Sequence, residues 1–253
     1  MNLAVCVKRV PDTTAKIKVA GDGKGIDPQG VEFAINPYDE VALEAALRLK
    51  EKAGKGEVTA VSVDPDGSDA ILRKALAIGA DKGLLIKGGA PLDPWPTAQL
   101  LAGALKGRGY DLILFGKQAI DDDGYQVPTM VAQLLGLPRA TVCVALEIDG
   151  PKAKIRRQIE GGEELLELAL PCVVSVQKGV NGIHDKRYPS LMGIKASKTK
   201  PVETAAVATP PGASLDVLKL TPPPERPPGR IVGQGAAAVP ELVRLLKEEA
   251  KVL

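Results

Sequence analysis

The chain has 253 residues, 45% of them hydrophobic, with 33 Lys and Arg against 31 Asp and Glu, a formal net charge of +2. That length and apolar content suffice for a buried core of about one to two domains, and the near-balance of charge excludes a strong footprint for nucleic acid or an anionic membrane. Cys6, Cys143 and Cys172 lie far apart in apolar runs and His184 is the sole histidine, which argues for reduced core thiols and against a disulfide framework or a zinc site with clustered ligands.

The N-terminal MNLAVCVKRV enters a strand-like run directly, without the basic region and long apolar core of a signal peptide, and no apolar run reaches about 18 residues. The expected location is cytoplasmic, or the mitochondrial matrix if the source is eukaryotic, and the chain is not membrane-embedded. Strands are predicted at 3–10 (LAVCVKRV), 58–63 (VTAVSV), 83–87 (GLLIK) and 111–116 (DLILFG), with helices near 37–53, 68–79, 95–106 and 126–136. Strands apolar nearly throughout suit a parallel sheet covered on both faces, so the predicted class is α/β with a mostly parallel, doubly wound sheet.

Asn36 is placed to cap the first helix, Pro37 suits its first position, and Asp39 and Glu40 put negative charge at the positive end of the dipole. Val41, Ala45, Leu49 and Ala53 give it an apolar face. Before it, KIKVAGDGKGIDPQG (16–30) reads as a β-hairpin insertion. After residue 138 shorter strands joined by Asp-Gly and Gly-Gly turns predict an antiparallel excursion that returns to the sheet at 171–176. The organisation that follows is a body over 1–183, a loop over 184–200, and a Pro-rich, extended C-terminal arm over 201–253. The arm ends in an amphipathic helix with Leu242, Leu245, Leu246 and Ala250 along one side. A helix that short is marginal alone, so it should dock on its own body or on a partner chain.

A doubly wound sheet binds ligands at the carboxyl ends of its strands. The loops there begin near 8–14, 63–69, 87–95 and 116–126, and the last, GKQAIDDDGYQ, is the least generic. No GxGxxG follows the first strand and no GxxxxGK[ST] occurs, and one histidine leaves little for acid–base chemistry. The reading is a nucleotide binder with no catalytic residues of its own. For the 116–126 loop three roles stand open: a hydrated turn whose Asp122 or Asp123 caps the next helix, a magnesium site built from carboxylates, or a backbone cradle for phosphate in which Gly116 and Gly124 allow close approach. In the last case the aspartates must turn away from the phosphate.

GKQAIDDD (116–123), together with VCVKRV (5–10), INPYDEVALEAALRLKE (35–51), AVSVDP (60–65), ALAIGAD (75–81), EGG (160–162), LPCVVSVQ (170–177) and RYPSLMGIKASK (187–198), resembles the beta (small) subunit of electron transfer flavoprotein. The motifs run in the same order over nearly the whole chain. The resemblance implies a Rossmann-like, adenine-nucleotide-binding fold in a heterodimer with an alpha subunit that carries most of the FAD contacts. This chain would hold a structural AMP. Acyl-CoA and related dehydrogenases, as in fatty acid beta-oxidation, would reduce the flavin, and a membrane quinone oxidoreductase would reoxidise it. It implies an electron carrier subunit without independent catalysis.

Carried over by position, the resemblance implies a cofactor pocket from Cys6, Asn36, Pro37, Tyr38, Asp39, Val63, Gly116, Lys117, Gln118, Ala119, Ile120, Asp121, Asp122, Asp123, Gly124, Tyr125, Gln126 and Val127, with Tyr38 at the flavin edge. Thr13 and Gly124 depart from the side chains that relatives carry there. Arg187, Tyr188, Leu191, Met192, Ile194 and Lys195 would form the dehydrogenase recognition loop, with Leu191 as the inserted anchor. The rival readings are a free-standing adenine-nucleotide-binding or hydrolysing α/β module, a nicotinamide-dependent dehydrogenase, and an interaction scaffold.

Overall fold

The computed structural model describes residues 1–64, 68–88, 93–183, 185–205, 214–225 and 228–253. Parts of the loops at 63–69 and 87–95, His184 and parts of the arm lie outside the described residues. In chain order the elements are β1 (Asn2–Cys6), β2 (Arg9–Pro11), β3 (Phe33–Ile35), α1 (Pro37–Ala53), β4 (Glu57–Asp64), α2 (Ala70–Ile78), β5 (Lys82–Lys87), α3 (Pro94–Leu105), β6 (Leu112–Gly116), α4 (Val127–Leu135), β7 (Arg139–Asp149), β8 (Lys152–Ile159), β9 (Gly162–Ala169), β10 (Cys172–Val176), α5 (Leu191–Ser197), β11 (Val202–Ala205) and α6 (Val239–Glu248).

One nine-stranded sheet runs β11-β5-β4-β1-β6-β10-β7-β8-β9, parallel from β11 to β7 and antiparallel from β7 through β8 to β9. Strand residues alternate between two apolar layers. Leu3, Val5, Leu112, Leu114 and Val174 pack with α1 and α2, while Ala4, Cys6, Ile113, Phe115 and Val173 pack with α3 and α4. Both faces are therefore covered, which is why these strands carry no polar alternation. All three cysteines are free and buried, and burial pushes the Cys172 thiol up to about 11 and that of Cys143 up to about 12.

Four expectations change in detail. The run 3–10 is two strands, because the chain turns at Lys8, whose N–H donates to Asp39 Oδ2 at 2.8 Å while its carbonyl accepts from Asn36 N–H at 3.0 Å. β2 then pairs antiparallel with β3, and the insertion between them closes on a Val19–Ile26 bridge and a tight turn at Gly23. Asn36 precedes α1 but makes no capping bond with its side chain. The buried face of α1 is broader than the predicted stripe: Ala42, Leu43, Ala46 and Leu47 are buried with Val41 and Ala45, while Ala53 is exposed.

The segment expected as a loop over 184–200 contains the helix α5, capped by Ser190, whose hydroxyl accepts from Gly193 N–H at 3.0 Å. Over 214–225 the arm holds no helix or strand and touches the body at the Asp93 carboxylate, which accepts from the N–H groups of Ser214 and Leu215, and at Gly23, whose carbonyl accepts from Leu220 N–H. No residue of α6 is buried. Among the described residues, no helix is long and apolar enough to cross a membrane.

Candidate functional site

β1 is flanked by β4 on one side and β6 on the other. The crossovers carrying α1 and α2 pack on one face and α3 on the other, so the strand order reverses between β1 and β6, the place beyond whose carboxyl ends a doubly wound sheet binds its ligands. Three segments meet there: the turn after β1, the start of α1, and the loop after β6.

Asp39 joins them. It is buried, and its two carboxylate oxygens accept from Lys8 N–H at 2.8 Å and Gly116 N–H at 3.1 Å. Burial pushes this carboxyl up to about 7 against the pull of the Lys8 and Gly116 N–H groups and the Asn36 amide. Asn36 is fully buried and spans to the loop, donating from Nδ2 to Gln118 O at 2.8 Å and accepting from Ile120 N–H at 3.2 Å. Lys117 N–H donates to Val176 O at 2.8 Å and fastens the same loop to β10.

The aspartates are exposed but bonded to protein groups. Lys8 Nζ lies 2.8 Å from both Asp121 Oδ1 and Asp122 Oδ2. Asp122 also accepts from Gly124 N–H at 3.0 Å, Asp123 N–H donates to Ala119 O at 2.9 Å, and the Gln118 amide donates to the Asp123 carboxylate. None of them caps α4, whose preceding residue Gln126 makes no side-chain cap either. Asp123 and Tyr125 take positive φ values of 50° and 57°, which turns the loop into the helix. Gly116 serves α1, since a β-carbon there would lie 2.4 Å from Asp39 Oδ1. The close approach it allows is thus to a helix start, and its N–H is already bonded.

Two features remain open toward a ligand. At the start of α4, Val127 and Thr129 occupy first-turn positions whose N–H groups have no intrahelical acceptor, and Pro128 has no N–H. Gln118 Oε1 is buried without a donor. Around the mouth, Lys117 Nζ lies 5.6 Å from the Tyr38 ring centroid and 5.2 Å from that of Tyr125, and Lys178 Nζ lies 5.9 Å from Tyr38. Cys6 and Val63 pack into the α3–α4 layer, and burial holds the Cys6 thiol well above its ordinary range, with the Asp39 charge adding to it. Among the described residues, no group of three His, Cys, Asp or Glu side chains converges as metal ligands.

Sequence reasoning named the loop and the α1 start and missed Lys8 and Lys178. A lysine directly after an apolar strand, at its carboxyl end, is the signal that could have found Lys8.

The segment 187–195, expected as a recognition loop, lies elsewhere, against α1 and α2. Tyr188, Leu191 and Met192 are 79%, 87% and 78% exposed, and Ile194 and Lys195 are exposed beside them. Arg187 points inward instead, its guanidinium spanning Glu44 and Glu51 of α1 with Nε to Glu44 at 2.6 Å and one terminal nitrogen to Glu51 at 2.6 Å.

These features define a doubly wound α/β protein with a braced loop at its switch point, helix-start N–H groups without an intrahelical acceptor beside it, and a separate exposed apolar tip. The model of the electron transfer flavoprotein domain matches residues 24–210. Full-length relatives include proteins named electron transfer flavoprotein subunit beta from Syntrophomonas wolfei (41% identical, covering all of this chain and 98% of the relative), Bacillus subtilis (40%, all of both chains) and Sus scrofa (36%, 98% and 97%). The chain belongs to the electron transfer flavoprotein family.

Proposed function

We propose that the chain is the beta subunit of a heterodimeric electron transfer flavoprotein, that it binds AMP beyond the carboxyl ends of β1 and β6, and that it completes an FAD site carried mainly by an alpha subunit. The observation that carries the AMP reading is the pairing of Asp121 and Asp122 with Lys8. It draws the carboxylates away from the α4 start, where unpaired N–H groups suit a phosphate. The buried Gln118 Oε1 is an acceptor waiting for a donor, which an adenine amino or ribose hydroxyl group would supply.

Residues 1–183 act as the nucleotide-binding body, 184–200 as the dehydrogenase-binding segment and 201–253 as an arm whose terminal helix covers its apolar side on the alpha subunit. FAD, when bound, supplies the one- and two-electron chemistry. This chain's part is to position it, with Tyr38 at the edge between Lys117 and Lys178, and to present Leu191 to acyl-CoA and related dehydrogenases. A membrane quinone oxidoreductase would take the electrons onward. The setting is cytoplasmic, or the mitochondrial matrix in a eukaryote; the Arabidopsis thaliana relative is named mitochondrial.

The test is to purify the chain alone and with its alpha partner, record visible absorbance, and identify the nucleotides released on denaturation. A colourless single chain and a yellow heterodimer that releases FAD and AMP in equal amounts are expected. Flavin held by the single chain, two FAD and no AMP in the heterodimer, or nucleotide hydrolysis would overturn the proposal.

A further inference from the structure

Helix α5 has only seven residues, too few to hold its own shape in water, yet it carries the exposed apolar side chains Leu191, Met192 and Ile194. It is seated by contacts at both ends. On one side Gly193 rests on α2 so closely that a β-carbon would lie 2.3 Å from Ala77 O. Beyond the helix, Arg73 donates to Ser197 O and Lys200 O at 2.8 Å, and Lys200 Nζ donates to Leu76 O and Ala80 O at 3.0 and 2.6 Å. On the other side stands Arg187, four residues before Leu191. Its planar fork spans two carboxylates about two helical turns apart on α1, and Glu44, 4% exposed, is shared with Arg48 at 2.5 Å. Lys186 adds a bond to Glu40 at 2.7 Å, and the Asn181 amide bonds Val41 O and Asp185 O, both at 2.9 Å.

We infer that Arg187 is a positioning residue for docking: through Glu44 and Glu51 it fixes the pose in which Leu191 and Met192 project, and so sets affinity for a partner dehydrogenase without touching it. This rests on the proposed docking role of the segment. A surface anchor that must be ordered at each encounter loses affinity to the entropy of ordering, and a preformed one does not. Arginine is the side chain suited to the task, because its planar guanidinium presents separate nitrogens to two carboxylates in a fixed fork, whereas a lysine offers one point charge on a flexible stem. The charge on Arg187 is thus spent inside the chain, and steering of acidic partners falls to Lys195 and Lys198.

The experiment is a double-mutant cycle in the purified heterodimer, with an acyl-CoA dehydrogenase as the reductant and the heterodimer as the varied acceptor. Arg187→Gln is expected to raise KM for the heterodimer on the order of tenfold, to keep FAD and AMP content equal to wild type, and to speed amide exchange over 191–197 but not over 70–78. Arg187→Gln/Leu191→Ala is expected to be no worse than Leu191→Ala alone, because both act through one contact. Additive effects, or a normal KM in Arg187→Gln while Leu191→Ala raises it, would overturn the inference and leave the docking role standing. A normal KM in Leu191→Ala would overturn the docking role and the inference with it. Glu51→Gln, which removes the more exposed carboxylate and leaves Glu44 paired, is expected to give an intermediate rise; should Arg187→Gln fail to fold, a normal KM in Glu51→Gln would overturn the inference.

Discussion

A β-carbon at position 116 would sit 2.4 Å from Asp39 Oδ1 and 2.6 Å from the Tyr38 carbonyl carbon, closer than packed atoms approach, and the obstacle is largely backbone. Gly116→Ala should therefore push α1 away from β6 and cost about 1–3 kcal/mol in urea unfolding, with nucleotide content falling alongside. A normal midpoint would show that the α1 start yields freely. Lys8 works by charge. Burial pulls its ammonium down, but the hydrogen bonds it donates to Asp121 and Asp122 outweigh that and raise it. Burial likewise lifts Asp122, and Lys8 with Gly124 N–H bring it below its ordinary value. A depressed carboxyl contributes stability above its unfolded value near about 4 and loses it as pH falls through the folded value; a raised ammonium contributes below about 10 and loses it above. With Lys8 and Asp122 both about half exposed, the brace contributes up to about 1 kcal/mol. Amide protection over 116–126 should drop on acidification below about pH 4 in the wild type. In Lys8→Met it should already be low at neutral pH, and equal protection in both proteins would dismiss the brace.

At the scale of elements, the two helices after residue 190 contrast. α5 is short but seated, whereas α6 is longer and lies with Leu242 and Val243 43% and 39% exposed, its ion pairs Arg244–Glu241 and Arg244–Glu248 all on the surface. Since none of α6 is buried, removing residues 239–253 should change the stability of the isolated chain by no more than about 0.5 kcal/mol. The same truncation should lower the yield of heterodimer on gel filtration, and full assembly without these residues would reassign the helix. α1 shows how a local signal can be right in placement and wrong in role. Asn36 stands where a cap belongs, yet a long-range demand, the loop at 118–120, takes its side chain, and a Pro at the first position lightens the need for a cap.

Across the whole molecule, what was legible in the sequence is what depends on neighbours in sequence. Apolar runs such as DLILFG gave β6 to within a residue, and Pro37 gave the start of α1. The hairpin and the antiparallel excursion were marked by their Gly-Asp and Gly-Gly turns. What depends on distant partners was not legible. Lys8 meets aspartates more than a hundred positions away, and Arg187 meets glutamates as far back, on α1. No spacing rule encodes such pairs, so Arg187 reads from sequence as a docking cation while its geometry makes it a clamp. The loop at 116–126 stood out in sequence but its division of labour did not: Asp121 and Asp122 pair with Lys8, while the Gly116, Lys117 and Ile120 N–H groups fasten the loop to Asp39, Val176 and Asn36.

The sheet's edge at β5 is covered by β11, which pairs in parallel from Val202↔Gly83 to Ala205↔Ile86. β5 is made early and its cover is made late, after α5. During synthesis the nearly uninterrupted apolar strand GLLIK must therefore wait with open hydrogen-bonding groups on one side, the condition under which strands pair with the wrong chain. The other edge, β9, needs no cover, since Glu163, Glu164 and Glu167 lie along it. The segment that bears the docking tip is thus also the tether that delivers the closing strand, and completion of the sheet and presentation of Leu191 become one folding event.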